Sequence, residues 1–168
     1  MFPKFFTLEE AKKALPTIKE FILAANQELE QLAEDLQEEN ERCHRLERRL
    51  INSSIVQVVR GGGGSADSEG EHELVDEEAR QGFERAAEKL ADLQENYFKR
   101  LNYWLDKIGE QGVILRDLRT GLLDFPAKQN EMVYFLCWRL TDADINFWHL
   151  PEDGFAGRRP LAVLIEYI

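Results

Sequence analysis

Residues 137–161 read CWRLTDADINFWHLPEDGFAGRRPL and gather two Trp, two Phe, three Arg, one Cys and one His into one stretch. His149 titrates near neutrality, so it is a candidate ligand or acid–base group as well as a core or rim histidine. Arg139 suits either stacking on Trp148 or an ion pair with an acidic residue of a helix. Gly154 and Gly157 permit a tight loop with inward-turned backbone N–H groups, an arrangement that holds anions. Arg158 and Arg159 follow at once, and a guanidinium fork matches a carboxylate or phosphate. Their partners are then an external anion, acidic groups of this chain such as Glu152 and Asp153, or a second subunit. Trp138 and Trp148 offer stacking surfaces to the same ligand.

For a metal ion, Asp124, His149, Glu152 and Asp153 supply carboxylate and imidazole donors. The sequence has no HExxH, no CxxC pair and no EF-hand spacing. Pro151 works against a helix that would bring His149 and Asp153 together. No set of residues is recognisable as catalytic, and no cofactor is expected.

The elements that position these groups can be read from periodicity. EMVYFLCWRL (131–140) and INFWHL (145–150) read as strands about TDAD, a turn by composition. Paired about that turn, one face carries Leu140/Ile145, Trp138/Phe147 and Leu136/His149. The other carries Arg139/Asn146, Cys137/Trp148 and Phe135/Leu150. A slip of one residue exchanges the two sets. In this register Cys137 and His149 point to opposite faces, which argues against a nucleophilic pair. GVILRDL (112–118) and GLLDF (121–125) read as a further hairpin that FPA (125–127) ends, and LAVLIEYI (161–168) reads as a terminal strand.

Upstream the period is helical. Thr7 and Glu10 form a capping box. Pro16 either ends a short helix or kinks a longer one. Ile18, Ile22, Ala25, Leu29, Leu32 and Leu36 then form a heptad seam, broken at Glu39 and resumed at Cys43, Leu46 and Leu50. Such a helix is about 50 Å long at 1.5 Å per residue. RGGGGSADSEGEHE (60–73) is too polar and glycine-rich to bury surface and reads as a flexible helix-to-helix connection. A second helix over roughly 75–111 carries a stripe that Phe98 and Leu105 widen, which predicts packing against more than one helix. Gly109 and Gly112 end it. The expected fold is α+β: a single domain with a long antiparallel, coiled-coil-like helical hairpin over 7–111 and a small antiparallel sheet of about four strands within 112–168.

The 168 residues carry a net charge of −11. Residues 1–112 hold 15 Lys and Arg against 24 Asp and Glu, and residues 113–168 hold 6 against 8. An acidic chain without a basic stripe argues against nucleic acid and anionic membranes, which are held first by Lys and Arg. Two cysteines are too few for a disulfide framework. MFPKFFTLEE lacks the basic and apolar regions of a signal peptide, and the longest apolar run is too short to span a bilayer. A cytoplasmic protein is expected.

FTLEEAKKALP, GVILRDLRTGLLDFPA and VYFLCWRL…INFWHL…GFAGRRPL together resemble a family of small uncharacterised bacterial proteins, domain of unknown function twenty-two-zero-three. The C-terminal block is the specific part, and the helical part matches in pattern. The chain departs from that pattern in longer helices, a longer glycine-rich connection, and Thr141-Asp142-Ala143-Asp144-Ile145 in place of a Gly-Glu-Pro-like turn. The resemblance implies the architecture and a bacterial cytosolic setting and brings no activity. The leading functional expectation is a non-enzymatic homodimer, associated through the helices, with a C-terminal recognition or ligand-sensing surface for a protein partner or small molecule. The alternative is an enzyme or binder of an anionic small molecule using Arg139, Arg158, Arg159 and His149, and a metal protein stands third.

Overall fold

The structure, a computed structural model, describes residues 4–60 and 69–166, with side chains for 4–52 and 77–164. Helix α1 spans Leu8–Arg60 and α2 spans Glu69–Gly109. Five strands follow: β1 Ile114–Asp117, β2 Leu122–Gln129, β3 Met132–Trp138, β4 Phe147–His149 and β5 Arg159–Pro160. They form one antiparallel sheet in the order β1-β2-β3-β4-β5, so the chain is α+β as its periodicities predict. Residues 61–68, the centre of the expected glycine-rich connection, lie outside the described residues. Two compact units are present: Met1–Leu29 with Arg100–Ile168, and Glu30–Lys99.

In the first unit the capping box forms. The Thr7 N–H donates to Glu10 Oε2 at 2.9 Å, and the Glu10 N–H to Thr7 Oγ1 at 3.1 Å. Pro16 does not end the helix. It and Lys12, whose carbonyl it leaves without a helical donor, are both exposed, so water can satisfy the carbonyl and the helix runs on. Glu28 of α1 ties to α2. It accepts a fork from Arg100, whose Nη2 lies 3.0 Å from Oε2, and the Trp104 indole N–H at 2.8 Å. The apolar face of the sheet carries Leu123, Phe125, Ala127, Leu136, Trp138 and Trp148, in one core with Ala11, Ile18, Ile22 and Ile108 of the helices.

Three expectations for the sheet are corrected. β2 does not stop at FPA but continues through Pro126 to Gln129. Proline survives there because its ring side faces away from β3; the Pro126 carbonyl accepts the Phe6 N–H at 2.7 Å beyond the end of β1. Residues 161–166 are a 3-10 helix rather than a strand, seating Leu164 in the core, and the two-residue β5 edges the sheet instead. The β3–β4 register is one residue away from the one expected, with Phe135↔His149, Leu136↔Trp148 and Cys137↔Phe147. The turn is not a tight TDAD loop. Asp142 accepts the Arg139 N–H at 3.2 Å, its carbonyl accepts the Trp138 indole at 3.1 Å, and Asp144 caps the Ile145 N–H at 2.7 Å. These side-chain bonds replace ladder pairs and shift the return strand.

In the second unit Glu39 does more than interrupt the seam. It occupies the seam and is itself buried, and Lys89 of α2 reaches its Oε2 at 2.6 Å and Arg42 its Oε1 at 3.4 Å. Phe98 in this unit and Leu105 in the other, the residues that widen the α2 stripe, are exposed.

Replacing a buried, paired charge with a hydrophobe is often neutral or stabilising, whereas removing its partner strands it. Glu39→Leu is therefore expected to leave the melting temperature unchanged or raised, and Lys89→Ala, which removes a largely exposed partner while Arg42 remains, to cost about 1 kcal/mol; denaturant unfolding of the two variants checks this order. The bond from Arg100, with a further one from the Trp104 indole, holds the Glu28 carboxyl below its usual range against the opposing effect of burial. A depressed carboxyl stabilises above its unfolded value and loses that stabilisation as pH falls through its folded one. Glu28→Gln should thus melt lower than the parent near neutrality, and the gap should close in acid through and below the carboxylate range, as read from melting curves across pH.

Candidate functional site

The register divides the sheet into two chemically different faces. Opposite the apolar core, Asp124 of β2 pairs with Cys137 of β3, and Cys137 with Phe147 of β4. One pair further, Phe135 lies opposite His149. Asp124, Cys137 and His149 therefore share this face, all three buried. Their carboxylate, thiol and imidazole donor atoms all lie within 4.8 Å of one another.

The imidazole is fixed at both nitrogens. Nδ1 lies 2.8 Å from the Leu150 carbonyl oxygen and Nε2 3.1 Å from Asp124 Oδ1. A carbonyl only accepts, so Nδ1 carries the hydrogen of its bond. In the neutral ring Nε2 then turns a lone pair toward a carboxylate oxygen. Those lone pairs repel, so a proton or a metal cation must lie between them. The second carboxylate oxygen, Oδ2, accepts the Arg116 Nε–H at 2.8 Å. Arg116 reaches it because β1 bulges there: Leu115 faces Leu123, and the next paired residue is Asp117, opposite Leu122. The extra residue of a bulge is re-aimed. Its guanidinium sits 5.5 Å from the Phe135 ring.

The electrostatics follow from these contacts. Burial opposes ionisation of Asp124, but bonds from His149 and Arg116 outweigh it and hold the carboxyl below its usual range. Burial likewise opposes the charged form of His149, while the bonds to Asp124 and the Leu150 carbonyl and the Asp124 charge raise it above its usual value. The Cys137 thiol is pushed up to about 12 by burial and by the neighbouring Asp124 charge, against the opposite pull of Arg158. A thiol so protonated is no nucleophile at neutral pH.

The loop GFAGRRP closes on this face without opening a clamp. Arg158 pairs with Asp142 and stacks 4.2 Å from the Phe147 ring and 5.0 Å from Phe155. Arg159 pairs with Asp153 at 2.7 Å and lies 5.2 Å from the Trp148 ring. Arg139 is drawn to Asp142 at 3.6 Å and to Phe155. The glycines serve this packing: a side chain at Gly157 would put its Cβ 2.3 Å from that of Asp153, and Gly154 takes φ 58. Trp138 and Trp148 are buried in the core on the other face, where neither can stack on a ligand.

Of the candidate metal donors, Asp124 and His149 meet, while Asp153 is engaged by Arg159 and Glu152 is exposed. Cys137 joins them because it and His149 share a face, which corrects the pairing that separated them. Arg116 was not singled out by sequence, since nothing in ILRD marks a bulge. A signal for Cys137 was present: the chain turns at Asn130, φ 53, between Gln129 and Met132, and counting outward from that turn places Asp124 opposite Cys137. The family model described as an uncharacterized conserved protein (DUF2203) matches residues 4–161. No curated protein and no solved structure matches the chain.

With chelator present, a thiol reagent near neutral pH is expected to label Cys137 only on unfolding. A thiol raised to about 12 has on the order of a thousandfold less thiolate than a free one. Time-resolved labelling with peptide mass analysis reads this, and fast native labelling of Cys137 would contradict the burial described.

Proposed function

The chain belongs to the uncharacterized conserved family DUF2203, and from that premise, which fixes a family and no reaction, we propose that it is a metal-binding protein. Its ion sits on the polar face of the sheet between Asp124, Cys137 and His149. The observation that carries this reading is the His149 ring. Its Nδ1–H is committed to a backbone carbonyl and its Nε2 faces a carboxylate oxygen at 3.1 Å, beside a thiol. A backbone carbonyl on one ring nitrogen is the usual outer-shell device that aims the other at a metal. One sulfur, one imidazole nitrogen and one carboxylate oxygen suit a borderline ion of the zinc class. Binding displaces the thiol proton, since a metal-bound thiol is ionised. The three donors come from three adjacent strands, so the ion also cross-links the sheet.

Purified without an affinity tag and titrated with Zn²⁺, the protein should take up about one ion per chain. Its melting point should rise, because saturation at a hundred times the dissociation constant adds about 2.7 kcal/mol to folding stability. Co²⁺ in its place should show a thiolate-to-metal charge-transfer band that Cys137→Ser abolishes, and His149→Ala should lose most of the affinity. Absence of stoichiometric uptake of either ion would falsify the proposal.

A second reading is favoured by Phe98 and Leu105, each exposed within its own unit. They lie on the apolar stripe of α2 that the sequence pattern widens, and that stripe supports self-association through the helices. Light scattering that returns a strict monomer at high concentration removes it.

A further inference from the structure

The same face supports a more specific use of the ion, and this inference rests on the metal reading above. A zinc-class ion takes four donors, and closed structural sites supply all four from protein. Here three converge among the described residues: Asp124, Cys137 and His149. The group on the solvent side of them is Arg116. Its side chain is 45 % exposed, whereas those of Asp124 and His149 are 2 % exposed. Arg116 is held by one carboxylate oxygen and by its approach to Phe135, from the unpaired position of a bulge.

Loading changes what Arg116 can hold. A dication bound to Asp124 takes over the neutralisation of that carboxylate, and two positive centres a few ångströms apart repel. The guanidinium is then freed beside an ion with an open position. An arginine fork matches a carboxylate or phosphate, and such oxyanions are also good donors to a zinc-class ion. On the inner side the charge of Arg158 falls on the Cys137 end of the cluster, where its Nη2 lies 3.5 Å from the Cys137 carbonyl oxygen. Its Nε is buried with no hydrogen-bond partner among the described residues. Arg158 is already paired with Asp142, so Arg116 is the cation that loading sets free at this face.

We propose that the loaded protein binds a small oxyanion, a carboxylate or a phosphate. One oxygen occupies the fourth position of the ion and another accepts from the Arg116 guanidinium. Binding replaces a water on the metal and breaks no covalent bond. The ion comes first, because without it Arg116 remains on Asp124 and no acceptor position exists.

The test uses the full chain loaded with Co²⁺ and titrated separately with acetate and with inorganic phosphate, read by the visible absorption of the ion. The wild-type spectrum should shift to saturation with at least one of them, and the pair distinguishes carboxylate from phosphate preference. Arg116→Ala should still load Co²⁺, and should need about tenfold more anion for the same shift, with Arg116→Lys between the two. A wild-type spectrum that neither anion moves overturns the proposal, as does an Arg116→Ala response equal to the wild type. Loss of Co²⁺ loading in both Arg116 variants also overturns it, by making Arg116 part of the ion's own site. Failure of the wild type to load Co²⁺ is a separate result, which removes the metal reading and this one with it.

Discussion

The ladder between β2 and β3 is the constraint on which the sheet depends. It runs through seven consecutive pairs, from Leu123↔Trp138 to Gln129↔Met132. Because side chains alternate across a strand, a slip of β2 by one residue would turn Leu123, Phe125 and Ala127 toward the polar face and Asp124 into the helix-packed core. Both halves of that exchange are unfavourable. The apolar residues would lose their burial, and the Asp124 carboxylate would enter an apolar environment away from Arg116, at a cost of several kcal/mol for an unpaired buried ion. Hydrophobic patterning and polar pairing thus select the same register. β4 then inherits its alignment from β3, and with it the placement of His149.

The arginines around the sheet are held in ion pairs: Arg116 with Asp124 and Arg158 with Asp142 on the polar face, and Arg159 with Asp153 beside Trp148 on the other. Each joins elements close in sequence, so the loop from Pro151 to Arg158 is fastened at both ends. This explains why a stretch that looks like an anion loop behaves as packing. Gly157 makes room for the Asp153 side chain, and each arginine is paired with a carboxylate of the chain, Arg158 with Asp142 and Arg159 with Asp153. The exception is Arg116, which is half in water and depends on a bulge for its reach.

Features with a local cause were legible in the sequence. The Thr7–Glu10 box, the heptad seam of α1 and the α+β order all follow from spacing within a few residues. The break at Glu39 was visible, although its partner Lys89, fifty residues away, was not. What failed was non-local or set by side-chain competition. The β3–β4 register depended on Asp142 and Asp144 capturing backbone and indole N–H groups across the turn, so assuming a tight turn moved His149 to the wrong face. Pro126 suggested a strand end because its tolerance rests on Phe6, more than a hundred residues earlier, occupying the edge it faces. The same register difference separates Cys137 from His149 in the sequence pattern, and nothing in ILRD marks Arg116.

The terminal strands have a further consequence. β5 is two residues long and ends in a proline, and β1 is four residues interrupted by a bulge. An incoming chain needs a run of regularly spaced, unpaired N–H and C=O groups, and neither border offers one. The sheet is therefore closed to growth. It cannot template a neighbour's strand or be lengthened by a peptide, which protects an aromatic-rich fold from stacking edge to edge. What the sheet leaves open to solvent is its polar face and the ends of its loops, not its borders.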